Sequence, residues 1–420
     1  MKIHHRKILP EIEKCLNIPE IIVIHGARQT GKTTILNILV KKLNEKINPA
    51  NIIYFDLEDF ELIDLCNSGV NSVIEHLKAI GCNFEQKIFL FIDEIQYLEN
   101  PSSFLKYFYD HWKGNVKLIV SGSSTFAIKS KFSAGLSNLK ESLVGRTIDF
   151  ELFGLDFEEF LIFKNITYDL KTHDKIIIEK LRKLFKEFVF YGNYPRIVLE
   201  DSIEIKKRLL KQIINTYLKK DVKDLSRITD INKFNRLLKI LASQSGSLLN
   251  ILELANTVGI SRPTLENYLI ILENTYVIRL VPPFYQNVRS ELTKMPKIYF
   301  EDLGIKNILE KGDFSLILSG QDFETAIYSI LRKNCDIEYI RFWRTVKKEE
   351  IDFIVESPKE LLAYEVKINV RNKDKFILDK FKKHYPTAKT YLVGLDFIDK
   401  SMSDDVNFIY PWQIVNNVKN

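Results

Sequence analysis

Gly26-Ala27-Arg28-Gln29-Thr30-Gly31-Lys32-Thr33-Thr34 decides how the N-terminal third of this chain folds. It fits G-x-x-x-x-G-K-[ST], and its flanks give the pattern meaning. Before it, Ile21-Ile22-Val23-Ile24 reads as a short, uncharged, β-branched strand; after it, Ile35-Leu36-Asn37-Ile38-Leu39-Val40 is apolar at helical spacing. Strand, glycine loop and helix in that order make a phosphate cradle. Backbone N–H groups point at the anion, a helix N-terminus lies behind it, and glycines let the backbone approach closely. Lys32 is expected to reach the β- and γ-phosphates of a nucleoside triphosphate, and Thr33 to hold its Mg²⁺. The loop reads phosphates and not a base, so ATP and GTP both fit it.

Outward from the loop, Lys87-Ile88-Phe89-Leu90-Phe91-Ile92-Asp93-Glu94 supplies the acidic partner. Five consecutive apolar residues suit a strand of a parallel sheet covered on both faces. Asp93 is expected to hold Mg²⁺ through water, and Glu94 to polarise the attacking water. Asn51-Ile52-Ile53-Tyr54-Phe55-Asp56 and Val116-Lys117-Leu118-Ile119-Val120 read as further strands. The second runs into Ser121-Gly122-Ser123-Ser124, where Ser121, Ser123 and Ser124 are candidates to sense the γ-phosphate, since ligands lie beyond strand C-termini in open α/β sheets. A plain Ser/Gly loop is the competing reading. Arg146 precedes the strand Thr147-Ile148-Asp149-Phe150-Glu151-Leu152 and is either a surface arginine or a cation for the γ-phosphate, in cis or from a neighbour. Strands and helices alternate, so the class is α/β with a mainly parallel sheet.

At 420 residues the chain exceeds one core, and 45% hydrophobic with 12% aromatic content suffices for several. No apolar run reaches the roughly 18 residues that span a bilayer. The N-terminus lacks the apolar stretch of a signal peptide, so a cytoplasmic protein without membrane contact is expected. Cys15, Cys66, Cys82 and Cys335 stand far apart with no C-x-x-C, giving no zinc pattern and suiting reduced thiols. A net charge of +6 permits nucleic-acid contact without demanding it.

Residues 156–230 read as helical and charged. Leu181–Phe190 and Ile203–Leu218 carry apolar residues at helical spacing, with Lys206, Lys207, Arg208, Lys211, Lys219, Lys220 and Lys223 forming a solvated face or a track for a phosphate backbone. Leu248–Ala255, the turn Val258-Gly259-Ile260, and a helix capped by Ser261 with Pro263 in its first turn make a helix-turn-helix. Tyr276-Val277-Ile278-Arg279-Leu280 is expected to be its wing. Its second helix offers Arg262, Thr264, Glu266 and Asn267 to a DNA groove, or the module contacts a protein.

Toward the C-terminus, Glu350-Ile351-Asp352-Phe353-Ile354-Val355 and Leu362-Ala363-Tyr364-Glu365-Val366-Lys367 alternate like strands. A turn centred between Pro358 and Lys359 sets Asp352 opposite Glu365, and Glu365 shares a face with Lys367. Two carboxylates and a lysine then converge. Such oxygens suit Mg²⁺, and Lys367 is placed to orient or activate a water.

The segments G-A-R-Q-T-G-K-T-T, F-I-D-E-I-Q, V-S-G-S-S and E-S-L-V-G-R together resemble a prokaryotic AAA-type ATPase family whose C-terminal domain of unknown function resembles PD-(D/E)XK nucleases. Tyr191-Gly192-Asn193-Tyr194-Pro195 and Lys297-Ile298-Tyr299-Phe300-Glu301-Asp302-Leu303-Gly304 agree with it, although the family commonly has a second glycine where Asn193 stands. The resemblance implies ATP binding and hydrolysis by Lys32, Thr33, Asp93 and Glu94, with Ser123 as sensor 1 and Arg146 as a nucleotide-sensing or finger arginine. It implies a core at 1–155, a helical lid at 156–232, a winged helix at 233–287 and a nuclease-like α/β domain at 288–420. In that domain Glu324 matches an added helical carboxylate beside Asp352, Glu365 and Lys367. The expected ligands are ATP and Mg²⁺, and the expected partners are DNA and further copies of the chain. The rival reading is an ATP-gated switch or scaffold with a protein partner and a silent nuclease-like domain.

Overall fold

The computed structural model describes residues 4–123, 143–216, 230–284, 295–314, 316–358, 360–398 and 407–414. They divide into two units, Met1–Gly154 with Asn274–Tyr276, and Leu155–Glu273 with Val277–Asn420. Ser124, Glu141, Ser142, Lys219, Lys220, Lys223 and Lys359 lie outside the described residues.

In the first unit the apolar-rich runs become strands β1 (Ile21–Gly26), β2 (Ile52–Asp56), β3 (Ile88–Asp93), β4 (Val116–Ser123) and β5 (Thr147–Glu151). All pair in parallel, in the order β2-β3-β4-β1-β5. Successive residues face opposite sides of a strand, so each run feeds two cores. Val23, Leu90, Ile92, Leu118 and Val120 meet α4 (Val70–Ala79) and α5 (Pro101–Trp112) on one face. Ile22, Ile24, Phe89, Phe91 and Ile119 meet α1 (Leu9–Lys14) and α2 (Lys32–Asn44) on the other. Short α3 (Phe60–Asn67) follows β2. All six positions of β3 are buried, its five apolar residues and the terminal Asp93 alike.

The second unit opens with helices α6 (Phe157–Phe163), α7 (Lys175–Tyr191), α8 (Pro195–Leu199), α9 (Ile203–Ile213) and α10 (Ile231–Ser243). Then come α11 (Ile251–Val258), Gly259 in the left-handed region at φ 78°, and α12 (Arg262–Asn274), its N-terminus capped by Ser261 Oγ accepting from Thr264 N–H at 3.3 Å. The helix-turn-helix is therefore present. Its expected β-segment is shorter: Tyr276 sits at φ 58°, where extended pairing cannot start, and β6 (Ile278–Val281) begins beyond it. Its antiparallel partner is β7 (Lys297–Phe300), followed by α13 (Leu303–Lys311) and α14 (Gly320–Asn334).

A mixed sheet completes this unit: β8 (Ile340–Arg344), β9 (Glu350–Glu356), β10 (Leu361–Val366), β12 (Lys389–Val393) and β14 (Asn407–Ile409), in the order β14-β12-β10-β9-β8. The two-residue strands β11 (Asn369–Val370) and β13 (Asp396–Phe397) pair beside it, and α15 (Lys375–His384) lies between β11 and β12 in the chain. The boundaries expected at 232/233 and 287/288 do not separate cores. One cluster joins Phe157, Phe185 and Phe188 of the helical region to Phe323, Tyr364 and Trp412, and β6 pairs across the second boundary with β7. Lys206 also departs from the solvated face. It is 3% exposed, with Nζ over the Tyr191 ring and 3.7 Å from Glu187 Oε1.

Candidate functional sites

The first site forms where parallel strands end. Register sets Gly26 beside Ser123, so β4 brings its terminal serines between the loop after β1 and the acidic end of β3. Gly26 has φ 153°, and a Cβ there would stand 2.1 Å from Leu152 O; no other residue fits. Gly31, at φ 100°, starts α2, with Thr33 and Thr34 exposed in its first turn. Lys32 is 4% exposed and donates to Gly26 O at 3.2 Å and Ala27 O at 3.0 Å. Burial lowers its pKa, against the pull of the Glu94 and Asp93 carboxylates. Gln29 stands exposed at φ 60° and Arg28 is half-buried, while Thr30 Oγ1 ties the loop to Ala27 O at 2.8 Å.

Asp93 is 2% exposed. Ser121 Oγ donates to its Oδ1, and Tyr54 OH to its Oδ2 at 2.8 Å. Burial, then that bond to Asp93, pushes the Tyr54 phenol well up. Glu94 occupies the left-handed region at φ 57°, a strained conformation that turns its carboxylate out of the strand. Gln96 Nε2 donates to Glu94 Oε2, while Gln96 Oε1 accepts from Ser123 N–H at 3.1 Å. Gln96 thus ties the candidate base to the candidate sensor. Ser121 takes up the Asp93 side chain, and of the described serines of this segment Ser123 stands beside Gly26.

Arg6 adds a contact that no motif announces. Its buried guanidinium donates to Thr30 O and to Phe153 O, both at 2.8 Å, clamping the loop to the exit of β5. Arg146 departs from expectation. It precedes β5, at the opening end of the sheet, and β1 runs five residue steps from Ile21, beside Thr147, to Gly26, about 17 Å at the usual rise. Its guanidinium grips both oxygens of Asp110. This placement suits a surface arginine better than a contact with this chain's own phosphate.

The second site lies at β7, β9, β10 and α14. The observed register, from Leu361↔Glu356 to Tyr364↔Phe353, agrees with the turn centre inferred from sequence. One step further, Asp352 Oδ2 accepts from Val366 N–H at 2.8 Å. Lys367 Nζ lies 2.5 Å from Glu365 Oε1 and 3.6 Å from Asp352 Oδ2. Glu324 also arrives here, but a second lysine holds it. Lys297 Nζ stands 2.8 Å from Glu324 Oε1, 2.6 Å from Glu350 Oε1 and 3.8 Å from Asp352 Oδ1. Tyr299 OH donates to Glu324 Oε1 at 2.6 Å. Burial, then the Asp352 charge, raises Glu324 to about 7 and Glu365 to about 8. Burial lowers both lysines, yet the carboxylates outweigh it and hold each above the ordinary range.

In this arrangement two lysines stand among the expected metal ligands. Glu324, Asp352 and Glu365 meet, yet among the described residues no three His, Cys, Asp or Glu side chains are placed to share one ion. Ammonium groups stand between them instead. Sequence reasoning gave Lys297 and Tyr299 no role, although their two-residue spacing on a strand already put them on one face.

The motif around Asn193 has a structural explanation. Gly192, at φ 84°, leaves room for the Asp302 carboxylate, which accepts from Asn193 N–H and caps α13 through Ile305 N–H, both at 2.7 Å.

Comparison with known proteins agrees with the first unit. Residues 19–161 match an AAA domain, 182–315 a domain of unknown function (DUF8612), and 319–414 another (DUF4143). The Walker-type ATPase of Pyrococcus abyssi superposes with a TM-score of 0.50 at 15% identity, covering 73% of this chain and 96% of that one. Residues 19–161 form a P-loop ATPase domain of the AAA type. Relatives span both units of the chain. An uncharacterized protein of Methanocaldococcus jannaschii is 28% identical over 87% of this chain and 79% of its own length. Another, from Haemophilus influenzae, is 25% identical over 88% and 89%. Among the described residues no helix is long and apolar enough to cross a membrane.

Proposed function

We propose that this chain is an ATP-hydrolysing switch that acts on nucleic acid through its second unit. One observation carries the ATPase reading: Gly26, Lys32, Asp93, Glu94 and Ser123 gather where β1, β3 and β4 end. Lys32 turns from the loop carbonyls to the β- and γ-phosphates. The N–H groups of Arg28 to Thr34 hold the anion. Glu94, held by Gln96, takes the proton of the attacking water, and Ser123 registers the γ-phosphate. Thr33 and, through water, Asp93 offer the hard oxygens that suit Mg²⁺, which would neutralise charge on the phosphates. Arg146 completes such a site only from a neighbouring copy, which makes oligomerisation part of the proposal.

The nucleic-acid arm rests on the helix-turn-helix and on exposed Lys373, Lys382 and Lys383 around α15. Two features favour the rival reading, a switch with a protein partner and a silent C-terminal module. Arg262, the cation of the α12 N-terminus, is paired at 2.7 Å with Glu266, and Lys297 occupies the carboxylate site. ATP hydrolysis by the full chain, with and without duplex DNA, tests both. The expected result is turnover that Lys32→Ala abolishes and DNA stimulates in a salt-dependent way. Turnover untouched by Lys32→Ala overturns the ATPase reading; turnover that ignores DNA leaves the switch.

A further inference from the structure

We propose that Lys297 is a built-in counter-ion that keeps divalent cations out of the Glu324–Asp352–Glu365 pocket, so that the folded C-terminal site takes up neither Mg²⁺ nor Mn²⁺. This goes beyond the ATPase reading, and either can fail alone. Glu324, Glu350 and Asp352 all face the Lys297 ammonium, within 2.8, 2.6 and 3.8 Å. The side chain is 3% exposed, and its ammonium lies over the Phe342 ring. Lys367, in contrast, is 43% exposed and holds the outer edge of the pocket against Asp352 and Glu365. The two lysines divide Asp352 between them, Lys297 at Oδ1 and Lys367 at Oδ2.

Charge counting gives the physical reason. Four carboxylates, Glu324, Glu350, Asp352 and Glu365, face three cations, Lys297, Lys367 and Arg344, the last pairing with Glu350 at 2.5 Å. The excess is a single negative charge, which one proton satisfies. A dication would leave the pocket positive and would sit against a buried, weakly screened ammonium. Glu365 Oε2 is buried without a hydrogen-bond partner, so an acceptor stands ready once the internal cation is removed. The pocket is thus closed by charge and not by the lack of ligand atoms.

Mn²⁺ titration of the nucleotide-free full chain, read by electron paramagnetic resonance, tests this. Wild type is expected to show no site at this pocket. Lys297→Met keeps the stem over Phe342, removes the charge, and is expected to gain one site on the order of tenfold or more tighter. Adding Glu365→Gln should remove it. Lys297→Gln removes the same charge with a polar side chain and serves where Lys297→Met fails to fold, as circular dichroism reports. The idea is overturned if wild type binds Mn²⁺ in a manner abolished by Glu365→Gln, or if neither folded Lys297 variant gains a site.

Discussion

Gln96 illustrates how much the active arrangement depends on one amide. It holds Glu94 with one end and the Ser123 backbone with the other. Gln96→Ala should therefore lower kcat for ATP by roughly 10- to 100-fold while nucleotide affinity stays near wild type. Glu94→Gln should cut kcat further, on the order of 10²–10⁴-fold, again with ATP binding retained in calorimetry. Steady-state kinetics beside calorimetry checks both. In the second unit, Glu365 sits above its usual range, so the folded state keeps a proton that the unfolded chain releases. The sign follows: this group adds stability at pH below 4.5, and the contribution fades as pH rises toward about 8. Thermal midpoints measured across that window should fall for wild type, and Glu365→Gln should flatten the fall. Residues in fixed patterns were legible in sequence: Gly26, Asp93 and Glu94 stand at strand ends, and Lys32 and Thr33 in the first turn of α2, where their spacing puts them. The contacts of Arg6, Tyr54 and Lys297 were not, because each acts on residues distant in sequence.

At the scale of elements, apolar runs announced the strands of the parallel sheet, and a turn centre at Pro358 and Lys359 gave the β9–β10 register to the residue. The boundary of β6 was misjudged because Tyr276 adopts a left-handed backbone that composition does not signal. The placement of Arg146 was likewise hidden, since only the parallel register of β1 and β5 fixes the end of the sheet it occupies. Close approach between elements is where substitution should be most damaging. Gly26→Ala puts a methyl group into Leu152 O, so β1 and the chain leaving β5 must part. A loss of about 2–4 kcal/mol and of ATP binding is expected, read by denaturant unfolding and calorimetry. Gly304→Ala meets Tyr191 O at 2.3 Å, and should loosen the seating of α13 with a comparable fall in the stability of the second unit and no change in ATP affinity.

Over the whole molecule, the sequence signalled more than one core; its division at 155/156 lies one residue from the break between the units, and those at 232/233 and 287/288 fall inside the second unit. Helices at 157–191 expose apolar stripes whose partners, Phe323 and Trp412, lie more than 130 residues on, so no local reading could join them. The residues Asn274–Tyr276 matter most for anyone handling the protein. They belong with Met1–Gly154, and Tyr276 OH shares a 2.7 Å hydrogen bond with His25 Nδ1, on the strand that leads into the phosphate loop. The chain therefore visits the nucleotide-binding unit twice. A fragment stopped at Gly154 would be missing a stitch, with His25 robbed of its phenol and the base of the loop unsupported. Biochemists who excise residues 1–154 for convenience should find them less tightly folded than the same residues in the intact polypeptide, as thermal unfolding of the two would report.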